Sequence, residues 1–198
     1  MRRLLPIALP ALAVLAACSG PAPVAGDWRL DGEASNLAFV SIKAGETAEA
    51  HRFTALSGTV DEAGQAEILI DLDSVATGIE IRDERMREHL FETETYPQAR
   101  IAATVDLAAL AEMSPGDRIV LPLEAVLELH GTTFPIETEV IVTDIGGGRV
   151  LVESTAPILL HVGDFGLGEG LGVLQDLAGL PSITPVSPVS FSLLFTRG

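Results

Sequence analysis

Along most of this chain apolar and polar residues alternate in twos, in segments closed by turn signals, which is the pattern of half-buried strands. Leu37, Phe39 and Ser41 alternate with Ala38, Val40 and Ile42, and His51 to Val60 runs into the turn Asp61-Glu62-Ala63-Gly64. From Glu67 to Asp73, Ile68, Ile70 and Leu72 take one face, with Asp71 and Asp73 on the other. The next stripe is Ile101, Ala103, Val105 and Leu107. Ser114-Pro115-Gly116-Asp117 then places Pro and Gly where a type II turn takes them. Leu123, Ala125, Leu127 and Leu129 oppose Glu124, Glu128 and His130. After His130-Gly131-Thr132 the chain reverses into Ile136, Thr138, Val140 and Val142. Three glycines, 146 to 148, turn it into Val150 to Ala156. In the last segment, Val186 to Thr196, the residues Val189, Phe191, Leu193 and Phe195 alternate with Ser190, Ser192 and Thr196.

The pattern predicts an all-β fold of eight long antiparallel strands. Mostly tight sequential connections favour an up-and-down barrel, which leaves no sticky edge, over a sandwich. Two connections are long, Ser74 to Arg100 and His161 to Pro185. They follow the third and the seventh strand, and direction flips at every connection, so both excursions emerge at one end of the barrel.

The first excursion holds "IRDERMREHLFETETYP", which does not alternate. It predicts a short helix with Asp83 and Glu84 early and Arg87 and His89 late, as the helix dipole prefers, and an i,i+4 surface pair between Asp83 and Arg87. Met86, Leu90 and Phe91 would lie over the barrel opening as a lid, while Pro97 biases Tyr96 away from helix. The second excursion carries glycines at 166, 168, 170 and 172. Their every-second spacing misses a phosphate-binding G-x-G-x-x-G and predicts a mobile loop. Leu171, Leu174 and Leu177 follow it in a short amphipathic turn packed inward.

The N-terminus lies outside this scheme. Met1-Arg2-Arg3 precedes an apolar run, Leu4 to Ala17, that ends in Leu15-Ala16-Ala17-Cys18. This is the form of a secretory signal closing on a lipobox, and the run is short for a membrane span. The expected division is a signal peptide over 1–17, an acylated Cys18 with a linker over 18–26, and one domain over 27–198. The linker, with two prolines, reaches roughly 25 Å if extended. Cys18 is the only cysteine, so an intramolecular disulfide is impossible. Without Arg2 and Arg3 the chain keeps 10 basic against 28 acidic residues, a net of −18. Nucleic acid is thereby disfavoured as a partner, as is adhesion to anionic lipid by charge. Acyl chains would have to hold the domain to the membrane. The expected place is the bacterial cell envelope, facing the periplasm, with Ser19 favouring the outer over the inner membrane. Self-association into a homodimer is left open.

No arrangement points to catalysis. His51, His89, His130 and His161 lack metal-ligand spacing, and no G-x-S-x-G elbow is present. Asp71 and Asp73 read as a solvated strand face, and Arg82, Arg85 and Arg87 as partners of Asp83, Glu84 and Glu88. The side chains expected on the inner wall are Phe39, Phe53, Ile70, Leu72, Met86, Leu90, Phe91, Ile101, Val105, Leu127, Phe165, Phe191 and Phe195. Pattern alone does not separate lining a hollow from filling a core.

Several segments resemble the YceI-like family of secreted, lipocalin-like proteins. They are "WRLDGEASNLAF" (28–39), "FTALSGTV" (53–60), "IDLDSVATGIEIRDERMREHLFETETYPQARI", "LELHGTTFPI" and "DFGLGEGLG", spread over the whole domain in family order. Ala34 stands where the family commonly has His, and Val162 where an Arg often precedes Asp-Phe-Gly. The resemblance implies a barrel enclosing an isoprenoid lipid, either a polyprenyl chain or the tail of a ubiquinone-type quinone, with no other cofactor. At about 0.8 kcal/mol per buried CH₂, a ~40-carbon chain offers about 30 kcal/mol gross. That exceeds the ceiling of about 20 kcal/mol on real affinities, so a dry lumen would suffice without a charged anchor. The implied function is a membrane-tethered carrier. The alternatives are an accessory of a membrane quinone redox system, or a structural or stress-related envelope protein with a filled barrel.

Overall fold

The computed structural model describes residues 27–198; the signal segment, Cys18 and the linker lie outside them. The strands are β1 (Trp28–Lys43), β2 (Thr47–Phe53), β3 (Leu56–Val60), β4 (Gln65–Asp71), β5 (Val75–Ala76), β6 (Gln98–Thr104), β7 (Arg118–Leu129), β8 (Thr132–Asp144), β9 (Arg149–Ser154), β10 (Ile158–His161) and β11 (Val186–Arg197). Between them stand α1 (Glu80–Arg85), α2 (Leu107–Ala111) and α3 (Gly168–Leu177). Pairing of β11 with both β9 and β1 closes the antiparallel sheet into a barrel.

The eight predicted strands are the eight staves of this barrel, two of them bent. The second stave is β2 and β3 together: β1 pairs Leu37 with Phe53 and Trp28 with Val60. It breaks at Thr54-Ala55, where both backbone N–H groups donate to the hydroxyl of Ser74 instead of the ladder. Beyond the break β2 stays paired with β1 but parts from β4 and gains β5 on that edge. The seventh stave is β9 and β10, both on β11, and it breaks before Pro157, which has no N–H to donate. The sixteen-residue β1 bends at a bulge between Asp31 and Asn36. There Asp31 accepts from the Ala34 N–H, and the Ser35 hydroxyl accepts from the Leu194 N–H. Such bulges let a long strand coil around a small barrel.

Two stripes end earlier than alternation predicts. Leu107 opens α2 rather than ending β6, because Asp106 caps the helix by accepting from the Ala108 N–H. Leu107, Leu110 and Met113 then pack across the barrel end at which the chain enters. Leu72 opens a 3-10 turn, Leu72–Ser74, capped by Asp71, so Asp71 and Asp73 do not share a strand face. The Ser114–Asp117 turn is as expected: Asp117 N–H donates to Ser114 O, with Gly116 at φ 98°.

Both excursions stand at the other end and touch. After α1 the chain widens into a π turn, Met86–Phe91, closed by Glu92 in the left-handed region. The wider i→i+5 spacing lets Met86, Leu90 and Phe91 all face inward, where all three are buried. Tyr96 packs against His130 with ring centroids 4.3 Å apart and the planes tilted by 51°, and His130 Nε2 lies 2.8 Å from the Glu92 carboxylate. These contacts fasten the first excursion to the β7–β8 turn. The predicted glycine loop is instead ordered. Gly166 ends a 3-10 turn, Val162–Phe165, at φ 69°, and the glycines 168, 170 and 172 lie within α3. Their helix is held by tertiary packing on the π turn, which overrides their weak propensity. Leu171 and Leu174 pack inward as expected, but Leu177 is 44% exposed.

Candidate functional site: an apolar lumen and its doorway

Strand alternation aims one residue in two at the barrel axis, and those residues do not fill it. A cavity of about 760 Å³ runs from Trp28, Leu107 and Leu110 at one end to Ile79, Ile81 and Arg82 at the other. That lies within the ~300–1,000 Å³ of small-molecule sites, toward its upper part. All thirteen side chains singled out by pattern face this cavity. Phe39, Phe53 and Phe91 form a continuous aromatic strip, with centroids 5.3 and 5.6 Å apart. Phe191 and Phe195 line the cavity from β11, the strand next to β1, where Phe191 pairs with Leu37 and Phe195 with Leu30. Leu72 and Phe165, each 1% exposed, belong as much to the seam between lid and barrel as to the lumen, and Phe165 also meets the Phe134 ring at 5.7 Å.

The doorway is a ring of contacts at the excursion end. Glu49, one inward position above His51 on β2, bridges Lys43 of β1 at 2.6 Å and Arg82 of α1 at 2.7 Å. Arg85 donates to the Leu177 carbonyl at the end of α3, at 3.3 Å. The strand-like segment after α3 returns to β1 through Ile183, which bridges to Lys43, and through the Ala44 N–H donating to Ser182 O. Lys43's hydrogen bond, seconded by Arg82, holds the Glu49 carboxyl below its ordinary range against the opposing effect of burial.

This ring replaces two expectations. Asp83 does not pair with Arg87; it accepts from the N–H and hydroxyl of Thr77, tying the start of α1 to the chain before it. Nor do the three arginines pair with Asp83, Glu84 and Glu88. Arg82 reaches Glu49 and Thr77, Arg85 reaches Leu177 O, and Arg87 donates to Asp73 O at 3.2 Å. Helix neighbours lose to partners that the fold brings within reach and that lie half-shielded from water.

Just inside the ring, His51 is 4% exposed and its Nε2 lies 2.8 Å from Ser41 Oγ. Its ring meets Phe39 at 5.2 Å, and its Nδ1 has no hydrogen-bond partner. Burial first, and the Arg82 charge second, push its pKa below the ordinary histidine value, which keeps the ring neutral. Sequence reasoning passed over this residue because a lone histidine without ligand spacing carries no signal. Its position two residues before the inward Phe53 was the available clue. Of the two departures from the family pattern, Ala34 is exposed in the β1 bulge and off the lumen wall, whereas Val162 lines the cavity. Among the described residues no group of three or more His, Cys, Asp or Glu side chains gathers as a metal site.

Comparison with solved structures bears on this architecture. A polyisoprenoid binding domain from Saccharophagus degradans, implicated in plant cell wall breakdown, is 40% identical. It superposes with a TM-score of 0.85 over 86% of this chain and 98% of its own. Burkholderia cenocepacia BcnA shares the fold at 18% identity and a TM-score of 0.64, over 83% of this chain and 98% of its own. A Campylobacter jejuni YCEI protein does so at 12% identity and 0.55, over 75% of this chain and 84% of its own. No curated protein sequence matches the chain. The YceI-like domain model matches residues 28–193, nearly the whole barrel, and the chain therefore belongs to the YceI-like family.

Proposed function

We propose that this protein is a carrier that holds a long isoprenoid lipid, or the isoprenoid tail of a quinone, inside the barrel. The single observation that supports it most is the continuous apolar lumen: a hollow of about 760 Å³ spanning the barrel, walled by aliphatic and aromatic side chains. A packed barrel, as a purely structural envelope protein would have, leaves no such hollow. The 40%-identical relative is described as a polyisoprenoid binding domain, which points the same way. The thirteen wall residues would contact the tail. The reading is of a binding protein: the wall offers almost wholly apolar contact, and its Ser41–His51 pair lacks a carboxylate on His51 Nδ1 to activate it as a nucleophile and base. In this proposal Cys18 is acylated and the domain faces the periplasm from the membrane that holds the anchor.

The direct test is to purify the full chain under mild conditions, extract it with organic solvent and identify the extract by mass spectrometry. A polyprenyl lipid or quinone near one per chain is expected; an extract without long-chain lipid would overturn the carrier reading. The anchor is tested separately by Cys18→Ala, which should abolish incorporation of labelled fatty acid and release the protein from the membrane fraction.

A further inference from the structure

We propose that His51 and Ser41 form a head-group subsite at the inner edge of the doorway, which receives a neutral head bearing a hydrogen-bond acceptor, such as a quinone carbonyl. The inference deepens the carrier reading and rests on it.

The wall around this pair is apolar, so a polar side chain there needs a reason. A buried polar atom without a partner forfeits on the order of 1–3 kcal/mol, and native structures hold few of them. His51 Nδ1 is one such atom, and the side chain is almost wholly buried. Its protonation state follows from its neighbour. The Ser41 hydroxyl has only His51 Nε2 within hydrogen-bond distance among the described residues. Leaving that hydroxyl proton unspent would orphan a second, half-buried donor, so Ser41 donates and Nε2 accepts. A neutral imidazole carries one proton, which is then on Nδ1. The unpartnered atom is therefore a donor, and its natural complement is an acceptor oxygen carried by the ligand.

The surroundings set the charge of that head. Arg82 and Lys43 stand close, but Glu49 lies between them and bonds both, and Arg82 further donates to the Thr77 hydroxyl and carbonyl. Asp83, bonded to Thr77, adds a second carboxylate. With two cations and two carboxylates this four-residue cluster is formally neutral and its charges are spent on one another; Arg85, farther out at the doorway, donates to the Leu177 carbonyl. The nearby Ser187 hydroxyl is spent on Val40 O. Nδ1–H is thus the buried side-chain donor left unpartnered among the described residues, and it suits a carbonyl or ether oxygen at the tip of an apolar tail better than a diphosphate.

The test uses the full chain, stripped of co-purified lipid on a hydrophobic resin and loaded with diphenylhexatriene as a fluorescent lumen probe. Displacement is compared for decylubiquinone, hexadecane and geranylgeranyl phosphate. The wild-type chain should prefer the quinone to hexadecane. His51→Phe and Ser41→Ala should each reduce that preference by about threefold to tenfold while leaving hexadecane unchanged. Ser41→Ala keeps the imidazole but frees its tautomer, so it serves where His51→Phe fails to fold. An unchanged preference in a folded variant, or tighter binding of geranylgeranyl phosphate than of the quinone, would overturn the subsite. Failure of both diphenylhexatriene and hexadecane to enter the wild-type lumen would overturn the carrier reading itself.

Discussion

Gly170 of α3 rests directly on the backbone of His89: a β-carbon at 170 would stand 2.1 Å from the His89 carbonyl oxygen and 2.9 Å from Leu90 Cα. Two segments some eighty residues apart thereby form one cap, and the approach is closer than any side chain allows. Alanine at an ordinary helix position gains about 1 kcal/mol over glycine. Here the obstacle is backbone, which does not move aside, so the overpacking penalty of about 1–3 kcal/mol should win. Gly170→Ala is expected to lower the melting temperature by about 5 °C, as read by circular dichroism. Gly172→Ala, whose β-carbon would meet nothing within 4 Å, should leave it unchanged or raise it.

Acidification should weaken the fold through His51. Its folded pKa lies below the ordinary 6.5, chiefly through burial, so between those two values the unfolded chain binds the extra proton. Stability is then fully present above about pH 6.5 and declines below it, toward the folded pKa. The slope is at most about 1.4 kcal/mol per pH unit for one proton. The charges that set this are Lys43 on β1, Glu49 on β2 beside His51, and Arg82 and Asp83 on α1. Glu49, lowered from 4.5, adds its own loss only at more acid pH, as the pH falls through its folded pKa. Urea titrations between pH 7 and pH 5 should show the decline in the wild-type chain and a shallower one in His51→Phe. Equal slopes would contradict the assignment.

Filling the hollow should separate binding from folding. Ala125 is buried on the inner face of β7 between Ala103 and Ile136, and it lines the cavity. Ala125→Phe projects a ring into space that a tail would occupy, without displacing a packed core. A loss of more than tenfold in lipid recovered per chain is expected, with an unchanged circular dichroism spectrum. Full lipid recovery from a folded variant would place the ligand elsewhere.

The lid latch should be local. Tyr96 packs at a tilt against His130, and Gly131, at φ 73°, brings its Cα so near that a β-carbon would lie 3.0 Å from the Tyr96 ring. Such an aromatic pair is worth about 0.5–1.5 kcal/mol beyond its burial. Tyr96→Ala should speed amide exchange severalfold across residues 86–97 while leaving β7 and β8 protected. Uniform acceleration through the barrel would mean that Tyr96 supports the global fold instead.

Much of this architecture was written locally. A period of two sends Phe39, Phe53, Ile70, Ile101, Val105, Leu127, Phe191 and Phe195 to one face whatever the partner strand, so membership of the inner wall followed from alternation. Strand counting put both excursions at one end, because an antiparallel meander reverses at each connection. The same local reasoning overran where caps intervened: Asp71 and Asp106 stop their strands with a side-chain hydrogen bond that hydropathy does not register.

By itself, then, the sequence determined which residues face inward, how many staves there are, and that the charged and glycine-rich detours share a rim. Only the tertiary structure decided that the interior is hollow, since a cavity depends on the distance between opposite walls, and strand number and tilt set that distance rather than any one stripe. It also decided the partners: Arg82 finds Glu49 thirty-three positions away instead of its helix neighbours. Gly170 turns a run that reads as loop into helix by docking on His89. His51 becomes a buried, half-satisfied donor only because closing the barrel takes it out of water while supplying a partner for one of its two nitrogens.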